Sequence, residues 1–148
     1  MSFVDFKQIG LQRVPTSLFM WGDNTYGQLG QNDSIARSTL VQLGTSSWTS
    51  LSASSTGHVL GILSTGALYA WGYNQYNELG LNARVPTTTS SPIQVGSATT
   101  WTKVSAGNNF SLAISNFGLW GWGRNDYGQA GLATGTVLPA LSWTQVAN

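Results

Sequence analysis

Trp21-Gly-Asp-Asn-Thr-Tyr-Gly-Gln-Leu-Gly30, Trp71-Gly-Tyr-Asn-Gln-Tyr-Asn-Glu-Leu-Gly80 and Trp122-Gly-Arg-Asn-Asp-Tyr-Gly-Gln-Ala-Gly131 are three copies of one ten-residue block. Their starts lie 50 and 51 residues apart, and Trp, Gly, Asn, Tyr and the final Gly are identical in all three. Agreement at that spacing marks an internal repeat, so the chain is read as repeated units. A fainter block precedes each later copy: Trp48-Thr-Ser-Leu51 leads to Trp71, and Trp101-Thr-Lys-Val104 leads to Trp122. Trp143-Thr-Gln-Val146 has the same form and leads to no further Trp-Gly block.

Local chemistry makes each block a strand followed by a tight turn. Ser17–Trp21, Ala67–Trp71 and Gly118–Trp122 are short, aromatic-rich and bounded by turn residues, as strands are. The Asn three residues after each Trp can bond its own turn backbone, and the glycines that follow accept positive φ without steric cost. Further strands are expected at Thr49–Ala53, Val59–Leu63, Thr102–Ala106 and Phe110–Ser115. No window carries a helical period with caps. Ser/Thr/Asn/Pro-rich loops are expected near residues 31–47, 81–100 and 132–142. The reading is an all-β chain: one domain over 1–148, with three blade-like, four-stranded units centred on the Trp-Gly blocks at 21–30, 71–80 and 122–131.

A strand-rich unit of about 50 residues is the pattern of β-propeller blades. Within that class the block resembles the regulator of chromosome condensation repeat, from Leu18 to Val146. The upstream half agrees: Trp101-Thr-Lys-Val-Ser-Ala-Gly-Asn-Asn-Phe-Ser-Leu-Ala-Ile114 is similar to the family's Trp-x-x-Val-x-x-Gly-x-x-His-x-Leu-Ala-Leu. His58 falls at the family's His position, which Phe110 occupies in the next repeat. Asn77 stands where the block has Gly, and Ala130 where it has Leu. The resemblance implies guanine-nucleotide exchange on a small GTPase of the Ran type, with chromatin binding. The family ring has seven blades whereas three repeats are present, and no basic tail is visible, so a small GTPase is not the expected partner.

Composition narrows the alternatives. Only 7% of the 148 residues are charged and the net charge is +1, against about a quarter charged in ordinary soluble proteins. Disorder by charge is excluded by the 7 Trp, 5 Tyr and 5 Phe. Nucleic acid is not an expected partner, because Lys7, Arg13, Arg37, Arg84, Lys103 and Arg124 are scattered and form no phosphate-binding run. No apolar run is long enough for a membrane helix. There is no cysteine, hence no disulfide framework or thiolate metal site.

No catalytic, cofactor or metal site is expected, so the chain is read as non-enzymatic. His58, the lone histidine, matches a structural repeat position, and no second His or Cys is available to activate a serine. The carboxylates Asp5, Asp23, Asp33, Glu78 and Asp126 are single and differently placed, so no calcium loop or acid/base pair is spelled out. Trp21, Trp71 and Trp122 are expected to pack between blades rather than to stack on sugar. The sequons at Asn32 and Asn109 are short enough to arise by accident.

Three functions compete. The first is a structural or protein–protein interaction module, in the sharpest form a small virion (phage) or extracellular decoration subunit. It is suggested by a low-charge coat in which Ser and Thr make up 34 of the 148 residues. The second is the exchange-factor and chromatin-binding activity of the family. The third is a carbohydrate-binding adhesin using Tyr73 or Tyr26. Three blades are too few to close a ring, which predicts a partial propeller or a ring completed by oligomerisation. In one version Trp143–Val146 of one chain completes a blade of the next, most simply as a two-chain ring of six blades. In the other, Phe6-Lys-Gln-Ile9 completes the first unit within the chain.

Overall fold

In a computed structural model of the chain, residues 17–81, 86–116, 118–131, 133 and 144–147 are described. They form ten strands and no helix: β1 Phe19–Gly22, β2 Arg37–Gln42, β3 Trp48–Ala53, β4 His58–Leu63, β5 Leu68–Tyr73, β6 Thr88–Gln94, β7 Trp101–Ala106, β8 Phe110–Ser115, β9 Gly118–Gly123 and β10 Thr144–Ala147. All pairings are antiparallel. Two four-stranded meanders, β3-β4-β5-β6 and β7-β8-β9-β10, follow a two-stranded sheet, β1-β2. The architecture is therefore all-β and built of propeller-type blades. The Phe6-Lys-Gln-Ile9 stretch lies outside the described residues.

Seven strands lie where local chemistry puts them, and three correct the sequence reading. β2 and β6 run through the stretches assigned to the loops 31–47 and 81–100. Both are outer strands, β2 mostly exposed and β6 partly so, and β6 carries Pro92, which an edge strand tolerates because its missing N–H interrupts no central ladder. Their strand state comes from the open edges of β1 and β5. β10 is the third correction. Thr144–Ala147 pairs with β9 of its own chain, Gln145 opposite Trp120, in the place that β6 holds in the preceding sheet. A Trp-x-x-Val tetrad suits a first or a last strand equally, and the unpaired edge of β9 takes it as the last. Within the chain the segment is thus the last strand of its own sheet rather than the first strand of a further unit.

Two apolar clusters follow the repeat. One joins Leu18, Met20, Leu29 and Leu43 of the first unit to Trp48, Val59 and Trp71 of the second. The other joins Leu60, Ile62, Leu68, Leu79 and Leu81 of the second to Trp101, Ala113 and Trp122 of the third. Both therefore lie between successive sheets. The upstream tryptophans seal them: Trp48 packs edge-on to Tyr69 at 5.8 Å and tilted against Trp71 at 5.6 Å, and Trp101 meets Trp120 at 6.2 Å. Towards the first strands, Ser52 Oγ accepts the Ala106 N–H at 2.9 Å, tying β3 to β7.

Trp71 is fully buried, whereas Trp21, the same residue of the first block, is half-buried. Trp71→Ala is expected to lower unfolding free energy by roughly 3–5 kcal/mol, the usual cost of emptying a large core site. Trp21→Ala should cost clearly less. Urea denaturation of both variants followed by circular dichroism measures the difference, and equal losses would contradict the asymmetry.

Candidate functional site

The ten-residue block folds the same way three times. Its Asn is buried in each copy, and its Oδ1 accepts the N–H five residues on: Leu29 to Asn24 at 2.9 Å, Leu79 to Asn74 at 3.1 Å, Ala130 to Asn125 at 3.1 Å. The Gln or Glu at the eighth position turns back to the tyrosine N–H: Tyr26 to Gln28 at 2.8 Å, Tyr76 to Glu78 at 2.6 Å, Tyr127 to Gln129 at 2.8 Å. Asn77, which replaces the glycine of the other copies, has φ 60°, a left-handed conformation that asparagine tolerates better than most residues. Ala130 for Leu keeps the position buried.

Each turn receives the tryptophan of the next sheet. Trp71 Nε1 donates to the Gln28 carbonyl at 2.9 Å and Trp122 Nε1 to the Glu78 carbonyl at 2.8 Å. The closing glycine makes room. A Cβ on Gly80 would stand 2.9 Å from Trp122 Nε1, and its φ of +64° is itself unfavourable for a side chain. Among the described residues no indole donates to the Gln129 carbonyl, and Trp21 Nε1 donates to no carbonyl.

His58 is buried and structural in its contacts. Ser111 Oγ donates to the Glu78 carbonyl at 2.6 Å, so it accepts from His58 Nε2–H at 3.1 Å, and Nδ1 accepts from Ser54 Oγ at 2.8 Å. That chain binds β4 and β8 to the second turn. Ser111 is fully buried, so the His–Ser pair presents no nucleophile to solvent, and the sequon at Asn109 ends on this buried hydroxyl. Burial lowers the His58 pKa to about 4 and raises that of Glu78 to about 7. Glu78 Oε1 is buried with no hydrogen-bond partner among the described residues.

A cleft of about 320 Å³ opens between the first and second turns, lined by Asp23, Tyr26, Tyr73, Tyr76, Thr56 and Asn109 among others. Tyr26 and Tyr73 meet at 4.7 Å with a tilt of 54°, so the two aromatics singled out in the sequence share one site. Tyr76 and Asp23 belong to it as well and were not read as site residues. Their signal was present, since Tyr26 and Tyr76 hold the same block position, one turn apart. The Thr25 hydroxyl holds Asp23 below the usual carboxylate range. Burial, then the neighbouring Glu78, Tyr26 and Tyr76, pushes the Tyr73 phenol up. Asp33 is spent on Arg37 at 2.6 Å and Asp126 on Arg124 at 2.5 Å. No group of three His, Asp or Glu suited to a metal occurs among the described residues.

Models of the regulator of chromosome condensation (RCC1) repeat match residues 17–60 and 65–114, and a second model of the same description matches 48–78 and 101–129. No curated protein matches the chain. Among solved structures, Prp20p of Saccharomyces cerevisiae is similar at a TM-score of 0.75 and 22% identity over 90% of this chain and 34% of its own. The same yeast protein bound to Kap60 gives 0.75 and 21% over 90% and 33%. Human WBSCR16 gives 0.70 and 16% over 84% and 33%. The chain thus spans about a third of each of these proteins.

His58 and Glu78 oppose each other in their pH dependence. His58, with its pKa depressed from 6.5 to about 4, contributes stability above pH 6.5 that is lost as pH falls towards 4. Glu78, raised from 4.5 to about 7, contributes stability below pH 4.5 that is lost as pH rises through 7. Each is worth about 3 kcal/mol at full effect. Wild-type thermal midpoints are expected to change little between about pH 4.5 and 6.5. Glu78→Gln, which restores the residue of the other two blocks, should leave a midpoint that rises with pH over that window. His58→Phe, copying Phe110, should leave one that falls. Calorimetry across the window checks both slopes.

Proposed function

This chain belongs to the regulator of chromosome condensation repeat family, and on that premise we propose that it is a non-catalytic protein-interaction module acting as one subunit of a larger assembly. The observation that carries the reading is the contact between a tryptophan and the preceding turn. It is made twice inside the chain, and its two unmatched halves stand at opposite ends of the described sheets: the half-buried Trp21 and the turn Asn125–Gly131. The third turn has the fold of the other two. At Gly131 it holds Val146 of its own sheet, as Gly30 holds Leu43, while Gly30 also receives Trp71. Tyr127 is 81% exposed, against 38% for Tyr26 and Tyr76, which face a following sheet.

Trp21 of a second copy seated on the Gln129 carbonyl would repeat a contact whose geometry the chain already makes. Such a contact is head-to-tail, so it generates a ring where the rotation closes and a filament where it does not. The 7% charge content suits a subunit whose surface is covered by neighbours, and a virion or extracellular decoration role is the form we favour. Exchange-factor activity rests on the relatives alone. Their likeness carries the fold, and this chain spans a third of their length.

Sedimentation should give multiples of the 15.8 kDa chain mass at high protein concentration. Trp21→Ala should reduce the product to single chains while circular dichroism stays unchanged. A wild-type chain that remains single at every concentration would overturn the assembly.

A further inference from the structure

The cleft between the first and second turns differs from the equivalent junction one blade on, and the difference defines a ligand. At each junction the tyrosine of one block faces the residue after Trp-Gly in the next. Between the second and third blocks these are Tyr76 and Arg124, with the guanidinium 5.2 Å from the ring centroid and its Nε donating to Asp126 Oδ2 at 2.5 Å. A cation is there held by an aromatic ring and a carboxylate together. Between the first and second blocks the same positions are Tyr26 and Tyr73, and among the described residues no Lys, Arg or His lines the cleft that they share with Tyr76 and Asp23. Ring and carboxylate are both present, and no described residue of the lining supplies the cation.

We propose that the Asp23–Tyr26–Tyr73–Tyr76 cleft binds the guanidinium of an arginine side chain on a partner polypeptide. Tyrosine faces attract a cation through the ring quadrupole, and the attraction grows as water is displaced. Guanidinium suits such a site better than ammonium, because it is planar, more weakly hydrated and able to stack on a ring while donating in-plane to a carboxylate. The Asp23 carboxylate is exposed and, though it already accepts from Thr25 and Gln28, retains lone pairs for a further donor. Asn109 also lines the cleft, and its Oδ1 is buried with no hydrogen-bond partner among the described residues. The cleft belongs to a single chain, so this binding does not depend on the assembly proposed above.

Titration of the full chain with N-acetyl-arginine amide, followed by NMR of the tyrosine rings, tests the assignment. Saturable shifts at Tyr26, Tyr73 and Tyr76 are expected, weakening with added salt, and none with the neutral isostere N-acetyl-citrulline amide. Asp23→Asn, which keeps the turn's acceptor, should weaken binding by roughly fivefold, about the upper size of one exposed ion pair. Tyr73→Arg, which copies the Arg124 arrangement, should fill the site from within and abolish the response while the rest of the spectrum stays dispersed. Equal binding of citrulline, unmoved tyrosine resonances at saturating arginine amide, or stronger shifts with a neutral oligosaccharide such as cellobiose would overturn the proposal. The proposed assembly would bring Tyr127 of a neighbouring copy to Asp23, so the titration is run at a concentration where sedimentation gives single chains, which keeps its failure and that of the assembly separable.

Discussion

An indole N–H aimed at the backbone carbonyl of the preceding turn is the contact on which the rest of this molecule depends. It requires a large apolar ring that can be fully buried and a donor that must find an acceptor once it is. Trp71 on Gln28 and Trp122 on Glu78 meet both needs at once, joining sheets that share no strand ladder. The turn must present its carbonyl in a fixed direction to be such an acceptor. That is the task of Asn24, Asn74 and Asn125, whose side chains close the turn from within. The glycines that end the first two blocks, Gly30 and Gly80, leave the space the ring fills. Five positions recur across the three blocks, and the Trp, the Asn and the closing Gly among them serve this contact.

The second turn carries the heaviest polar load. The Glu78 carbonyl accepts from both Ser111 and Trp122, and its side chain sits in surroundings poor enough in water to favour the neutral acid. His58, held by two serine hydroxyls, stays neutral for the same reason with the opposite sign. A buried histidine and a buried glutamate at one junction invite an enzymatic reading. Their hydrogen bonds are those of a structural chain: His58 Nε2–H is spent on the Ser111 hydroxyl and Ser111 on the Glu78 carbonyl, and that serine is enclosed.

Among the positions that vary between blocks is the one after Trp-Gly, where Asp23, Tyr73 and Arg124 stand on the same scaffold. The backbone there is set by the turn, so the side chain is free to change the chemistry of a junction without disturbing it. One junction closes on itself through an internal cation, and the other stays open, aromatic and acidic. Repeat architecture thus separates what holds the blades from what they display.

Much of the fold was legible because its determinants are local. Block spacing, aromatic strands and Asn-Gly turn chemistry act within ten residues, and β8 runs from Phe110 to Ser115 as expected. The outer strands were not legible. Thr88–Gln94 is polar, contains Pro92 and has no alternating pattern, so it becomes a strand only because β5 has an edge to pair. Trp143-Thr-Gln-Val146 fits two places in a blade, and its pairing with β9 selected one. Tyr26 and Tyr73 could be named from the sequence as exposed aromatics, but their meeting with Tyr76 and Asp23 in one cleft could not. Residues of two successive blocks come together there only after Trp71 has docked on the Gln28 carbonyl, 43 positions away. By itself the sequence determined the repeat, the strands of each blade that carry aromatic signals and the turns between them. Only the tertiary structure decided which edge each polar strand joins and which side chains face each other across a junction, because both are set by contacts between units rather than by preferences within them.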